Sequence, residues 1–303
     1  MPTDPATDGG PYVRAEIALQ PEAWTQAAAL APDLTGVLPT AGESVAVIGC
    51  GTSWFMAAAY ASLREAAGHG PTDAFAASEL PQGRSYDRVV AISRSGTTTE
   101  VVRAVESVRS PVLAITAVAG TPVPTAATDT VLLDFADEQS VVQTVFATTT
   151  LMMLRASLGE DVEPVVAQAR EVLAGAHAVD PALVDVDQVS FLGRHWAYGV
   201  AQEAALKCRE ACRLWTESYP QMEYRHGPVA IAQPGRAVWV FGRPVTGLAD
   251  DVRRTGALLV DDDLDPVADL VRAQLFAVER AEAGGLDPDR PRSLTRSVVL
   301  AES

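Results

Sequence analysis

Short runs of branched apolar residues, each answered by a helical stretch, constrain this chain more than any other feature. Val45–Ile48, Val89–Ile92, Val112–Ile115 and Val131–Leu133 are continuous rather than alternating, the pattern of strands buried on both faces. Helical segments near 54–67, 99–108 and 143–156 lie between or after them. Parallel strands need a crossover, and helices supply it, so the alternation predicts an α/β fold with a parallel sheet covered by helices. A connecting helix is expected over 160–178. Val189–Leu192, Ala237–Phe241 and Ala257–Val260 then predict a second series of strands, with a helix over 202–217 after the first. The chain therefore reads as a weak duplication of one βαβ lobe. The expected division is a helical arm at 1–36, a first lobe at 37–158 and a second lobe at 159–303, closed by a tail at 287–299. Within the arm, Pro21 predicts a break or the first turn of a new helix.

Charge bounds the partners. The formal net charge is −16, with 39 acidic against 23 basic residues. No excess of Lys or Arg is available to neutralise nucleic acid or an anionic membrane, so neither is expected as a partner, and any phosphate site must be built locally. The first ten residues are polar and lack the basic start and apolar run of a signal peptide, and no stretch is long and apolar enough for a membrane span. The expected location is the cytoplasm. Cys50, Cys208 and Cys212 fit a reducing compartment. Cys208 and Cys212 stand one helical turn apart without clustered ligands, so they are expected as core thiols rather than a metal site, and Met152 and Met153 as core. No metal or cofactor is expected.

Two polar loops follow the first strands. The run Gly49-Cys50-Gly51-Thr52-Ser53 opens a helix, so free amides and two hydroxyls face the loop. A dinucleotide fingerprint would need a third glycine, which is missing here. The run Ser93-Arg94-Ser95-Gly96-Thr97-Thr98-Thr99-Glu100 opens the next helix, with Thr97 and Glu100 at capping-box spacing. Each loop alone fits an ordinary capped βα turn. Together they leave the same end of neighbouring parallel strands, where open α/β sheets bind ligands, and they predict a pocket for a monophosphate.

Residues 202–228 carry the remaining chemistry. Glu203, Lys207 and Glu210 sit at i, i+4 and i+7 of a helix, and a loop then delivers His226, followed by Gly227 and Pro228. An acid, an amine and an imidazole together can move protons on a carbonyl compound. Spacing alone equally fits a solvated, salt-bridged helix with a loop histidine. Lys207 is the only lysine in the chain, which suggests a position needing a compact ammonium able to lose its proton, as a guanidinium cannot. His69, His177 and His195 are expected on loops.

As a set, the Gly-Cys-Gly-Thr-Ser loop, Ala77-Ser78-Glu79, the Ser93–Glu100 loop, Glu138-x-Ser140-Val141-x-x-Thr144, the Glu203–Glu210 helix, Glu223-x-x-His226-Gly227-Pro228 and the Asp289–Val298 tail resemble sugar isomerase (SIS) domain proteins. The likeness is to the isomerase half of glucosamine-fructose-6-phosphate synthase and its stand-alone relatives. It implies two flavodoxin-like three-layer α/β/α lobes and aldose/ketose interconversion of a phosphosugar through an enediol. An amino sugar phosphate would lose its amine in the same chemistry. The resemblance makes Glu210 the base between C1 and C2, puts Lys207 beside it and assigns ring opening to His226. It places the substrate phosphate against Cys50, Gly51, Thr52, Ser53, Ser93, Arg94, Ser95, Thr98 and Ser140. It also implies a homodimer whose histidine loop completes the neighbour's site. The departures are informative. No glutaminase segment and no cysteine after Met1 are present, so ammonia from glutamine is not expected. Arg296 stands where the pattern has lysine, which excludes an imine there and leaves an oxyanion contact. Arg94 replaces an uncharged residue and either adds a bidentate phosphate contact or points to solvent. A non-catalytic phosphosugar sensor is the alternative, and it would need neither Glu210 nor Lys207.

Overall fold

The computed structural model describes residues 10–300. Its elements are, in chain order, α1 (Pro11–Leu30), β1 (Val45–Gly49), α2 (Thr52–Ala66), β2 (Thr72–Ala76), β3 (Arg88–Ile92), α3 (Thr99–Ser107), β4 (Val112–Thr116), α4 (Pro122–Ala126), β5 (Asp129–Leu132), α5 (Val145–Ser157) and α6 (Glu163–Leu173). They continue with β6 (Gln188–Gly193), α7 (Ala197–Cys212), β7 (Trp215–Pro220), β8 (Arg236–Val240), α8 (Leu248–Thr255), β9 (Leu258–Val260) and α9 (Pro266–Ala283). The strands form two parallel sheets, ordered β2-β1-β3-β4-β5 and β7-β6-β8-β9. Both orders reverse direction between the first strand of the series and the third, creating a crevice beyond the strand ends at β1/β3 and at β6/β8.

Contacts group the described residues into two units, neither continuous in sequence. One comprises Gln20–Asp137, Val145–Val166 and 295–300 and holds the five-stranded sheet; the other comprises 10–19, Glu138–Thr144 and Ala167–Leu294 and holds the four-stranded sheet. In the five-stranded unit, β1 and β4 are buried at every position, and Ala46, Ile48, Val89, Ala91 and Val112 pack against Val101 and Val105 of α3. In the four-stranded unit, Phe191 of β6 and Trp239 of β8 lie in a core with Val200, Ala204 and Cys208 of α7 and Phe276 of α9. Cys208 and Cys212 are buried free thiols, and Met152 and Met153 are fully buried.

Three local expectations need correction. α1 runs unbroken through Pro21. A proline inside a helix removes one amide donor, and here the apolar face, with Ile17 and Trp24 fully buried, continues on both sides of it. The helix expected over 202–217 is α7, which starts at Ala197 and stops at Cys212 because Arg213 takes a left-handed conformation (φ 56°) as its cap. The following Trp215–Pro220 is an edge strand instead. Thr97 and Glu100 do not form a capping box, since α3 begins only at Thr99 and the Thr97 hydroxyl is held by Ser95 and Ser297.

Both units build the same turn after their first strand. A Cβ on Gly49 would lie 2.7 Å from the Ser53 carbonyl carbon, and one on Gly193 would collide with the Ala197 carbonyl, four residues on in each case. Only glycine lets the helix approach the strand end so closely. Two residues after each glycine the backbone is left-handed, at Gly51 (φ 54°) and at His195 (φ 52°).

Candidate functional site

In the five-stranded unit, the loop after β1 delivers Cys50, Gly51, Thr52 and Ser53 to the start of α2. Thr52 and Ser53 are buried, and Cys50 is half-buried. Burial, reinforced by the charge of Glu100, pushes the Cys50 thiol up to about 11, so it is neutral near pH 7 and no nucleophile. The loop after β3 places Ser93, Arg94 and Ser95 in buried positions, with Thr98 half-buried at the start of α3. Gly96 turns this loop at φ 63°, where a Cβ would collide with the Thr121 hydroxyl.

The tail is strapped onto that second loop. Arg94, 1% exposed, donates from Nη2 to the Arg296 carbonyl at 2.8 Å, so it braces the tail and does not point to solvent. Thr97 Oγ1 and Ser297 Oγ lie 2.8 Å apart, and the Thr99 amide donates to the Val298 carbonyl at 3.1 Å. That last bond occupies one of the α3 amides expected to be open. The Arg296 guanidinium is paired with Asp137.

In the four-stranded unit, α7 brings Glu203, Lys207 and Glu210 together. Lys207 Nζ lies 2.5 Å from Glu210 Oε2 and 3.4 Å from Glu203 Oε1. Glu203 and Lys207 are buried, whereas the Glu210 side chain keeps 20% of its surface open. Burial alone would push the Lys207 ammonium down, but the charges of Glu203, Glu210 and Glu138 outweigh it and the pKa is raised. These three carboxylates favour the charged form of Lys207.

Glu138 was legible as a motif residue but not as part of this cluster. It is buried and accepts from the Thr144 amide at 2.5 Å and from its hydroxyl at 3.1 Å. The turn that carries Glu138 is held by Glu16 of α1, whose Oε1 accepts from the Gln139 amide at 2.6 Å and the Ser140 amide at 3.2 Å. Burial, then the charge of Glu138, raises the Glu16 pKa. Ser140, expected among the phosphate ligands, belongs to this turn, where its hydroxyl accepts from the Val142 amide at 3.2 Å. His226 ends a short 3-10 turn, Glu223–His226, before Gly227 (φ 138°); it is exposed and makes no hydrogen bond among the described residues. Glu210 also lines a groove of about 720 Å³ with Arg213, Trp215 and Arg292, of which only Arg292 lies in a motif, the tail.

Residues 40–158 match the SIS domain model. Those residues form an SIS domain. Glutamine–fructose-6-phosphate aminotransferase [isomerizing] from Methanothermobacter thermautotrophicus is 28% identical over 317 residues, covering 88% of this chain and 54% of the relative. The SIS-domain chain thus spans about half the length of the curated relatives it matches. Among solved structures, glucosamine-6-phosphate deaminase from Thermotoga maritima superposes with a TM-score of 0.79 at 23% identity, over 95% of this chain and 99% of that one. Tagatose-6-phosphate ketose/aldose isomerase from Escherichia coli gives 0.80 at 18% identity, over 100% and 99%. At these identities the superpositions establish the two-sheet SIS fold. Among the described residues no helix is long and apolar enough to cross a membrane.

Proposed function

We propose that this protein is a phosphosugar aldose/ketose isomerase working through an enediol intermediate. When the sugar carries an amine, the same proton transfer yields an imine that water cleaves to the ketose phosphate and free amine. The observation that carries the reading is the 2.5 Å contact between Lys207 Nζ and Glu210 Oε2. Glu210 touches the buried ammonium and is the member of the cluster with surface open to a substrate. Glu210 takes the proton from the carbon next to the carbonyl and returns it to the neighbouring carbon. Lys207, nearly fully buried, sets the charge and orientation of Glu210 rather than exchanging protons itself. His226 opens the sugar ring. The Cys50–Ser53 and Ser93–Thr98 loops take the phosphate through amides and hydroxyls, with Arg296 offered to a developing oxyanion. The relatives named for glucosamine 6-phosphate and tagatose 6-phosphate chemistry support the substrate class. We further propose a cytoplasmic homodimer, with the His226 loop serving the partner's site; sedimentation equilibrium reads the mass directly.

Proton NMR in heavy water, with a panel of aldose, ketose and amino sugar 6-phosphates, tests the assignment. Deuterium entering C1 or C2 is expected, slowed ~10²- to 10⁴-fold by Glu210→Gln with binding retained. Unchanged exchange in Glu210→Gln would remove Glu210 from its role. Tight binding without exchange on any sugar would make the protein a phosphosugar sensor.

A further inference from the structure

A cavity of about 400 Å³ lies wholly within the five-stranded unit, with Leu80, Arg84, Ser85, Tyr86, Ser107 and Arg109 in its lining. Tyr86 precedes β3 and Ser107–Ser110 joins α3 to β4, so the cavity sits at the start of β3, whereas the Ser93–Thr98 loop leaves the end of that strand. The five residues of β3 separate the two by roughly 17 Å, at about 3.3 Å per residue. None of the described residues lining the cavity is a carboxylate, although the chain carries a net charge of −16. Arg109 is exposed, and its guanidinium makes no hydrogen bond or ion pair among the described residues; the hydroxyl of exposed Ser85 is likewise unpaired. Arg84 donates from Nη1 to Asp73 at 3.1 Å and to the Tyr86 hydroxyl at 3.4 Å, and it lies over the Phe75 ring. Both bonds use Nη1, so the Nε–Nη2 edge, the one that forms a two-pronged fork, is free among the described residues. The lining also takes in the C-terminal end of α3, where the last helix carbonyls have no intrahelical donor. Ser107 and Ser110 do not serve those carbonyls' open positions from outside, since their hydroxyls already donate to the Ala104 and Tyr86 carbonyls at 2.8 and 2.6 Å.

We propose that this cavity is a second binding site, for a phosphate monoester of a polyhydroxylated carbon chain. Arg109 and the free edge of Arg84 hold the phosphate, since guanidinium forks match its oxygens. The negative end of a helix disfavours a bare anion but welcomes hydrogen-bond donors, so the chain's hydroxyls donate to the carbonyl end of α3 while its carbons lie against Leu80. Neither half of the lining suits an inorganic anion or an uncharged polyol as well as it suits the ester. At about 400 Å³ the cavity is within the size range of small-molecule sites. The inference stands apart from the role proposed for Glu210.

Equilibrium dialysis with radiolabelled glucitol 6-phosphate counts the sites, because a sugar alcohol has no carbonyl and is not turned over. Arg84→Ala combined with Arg109→Ala should bind one equivalent per chain fewer than the native protein. Arg109→Glu, which removes no hydrogen bond or ion pair and so leaves the fold intact, should weaken the same equivalent by about 10-fold or more. Unlabelled inorganic phosphate should displace that equivalent about 10-fold or more less effectively than unlabelled glucitol 6-phosphate. A native protein that binds a single equivalent, lost in the variants, supports the cavity and counts against the Cys50–Ser53 and Ser93–Thr98 loops as a phosphate site. Equal stoichiometry and affinity in native and variant proteins, or no binding by the native protein, overturns the site. Inorganic phosphate competing as well as the ester overturns the ligand class, since the polyol half would then contribute nothing.

Discussion

Replacing Lys207 by Met tests the buried charge cluster most directly. At 3.4 Å the attraction between Lys207 and Glu203 is on the order of 5 kcal/mol for an effective dielectric of 20. Stripping water from each ion costs several kcal/mol, so the intact cluster is close to neutral for stability. The variant is different: Met fills the volume but leaves Glu203, 1% exposed, as a carboxylate with its ammonium partner gone. Removing one partner of a buried pair costs about 3–5 kcal/mol. For a domain of this size that is a fall in Tm of roughly 6–20 °C near pH 7. Glu203→Gln in the Lys207→Met background removes the orphaned charge and should recover most of the loss. The sign with pH follows from the raised Lys207 pKa. The stabilisation from its charge is complete below the ordinary lysine value near 10.4 and fades only as pH rises through the higher folded value, so it is constant across pH 6–9. Thermal unfolding followed by tryptophan fluorescence reads all four proteins of the cycle. A Lys207→Met protein within 1 °C of native, or a double variant no better than the single, would refute the reasoning.

Other outcomes follow from the same structure. Gly96→Ala should cost roughly 2–4 kcal/mol, combining left-handed strain with the collision at Thr121, whereas Gly120→Ala (φ 70°, nothing within 4 Å) should cost only the strain, about 1–2 kcal/mol; calorimetric Tm values separate the two. Burial pushes the Asp269 carboxyl up to about 6 against the pull of Arg272, so its contribution is full below the unfolded value near 3.9 and is lost as pH rises to about 6. Native stability should therefore decline by about 2 kcal/mol relative to Asp269→Asn between pH 4 and 6, and a flat difference in Tm would contradict this. Arg94→Met should release the tail at the Arg296 carbonyl and speed tryptic cleavage after Arg296 by about 10-fold or more, read by mass spectrometry.

The interior strands were legible because they obey one rule. β1, β3, β4, β6 and β8 are buried on both faces, and a continuous branched run is what that environment demands. β2 and β7 were not legible. They are the edge strands at the same place in each sheet, Thr-Asp-Ala-Phe-Ala and Trp-Thr-Glu-Ser-Tyr-Pro, mostly half-buried, with polar residues breaking any apolar run. β7 was absorbed into the preceding helix because nothing in Arg213 announces a left-handed cap, a position usually marked by glycine. At the site, helical spacing placed Lys207 between Glu203 and Glu210. It could not place Glu138, whose approach depends on a turn held by Glu16 more than a hundred residues away.

The shared turn after β1 and β6 explains how one architecture supports different chemistry in its two copies. Both units keep the glycine that lets helix and strand meet, and both bend left-handed two residues later. In the five-stranded unit that bend is Gly51, flanked by the small residues Cys50 and Thr52. In the four-stranded unit the same bend is His195, flanked by Arg194 and Trp196. A histidine held at positive φ costs on the order of 1–2 kcal/mol, and all three side chains here are bulky. Only one unit thus has small residues at its turn. The other places its charge further along the helix, at Lys207 and Glu210, nearer the C-terminal end of α7 than the turn. There the Lys207 ammonium is held by the charges of Glu203, Glu210 and Glu138, which outweigh the effect of its burial.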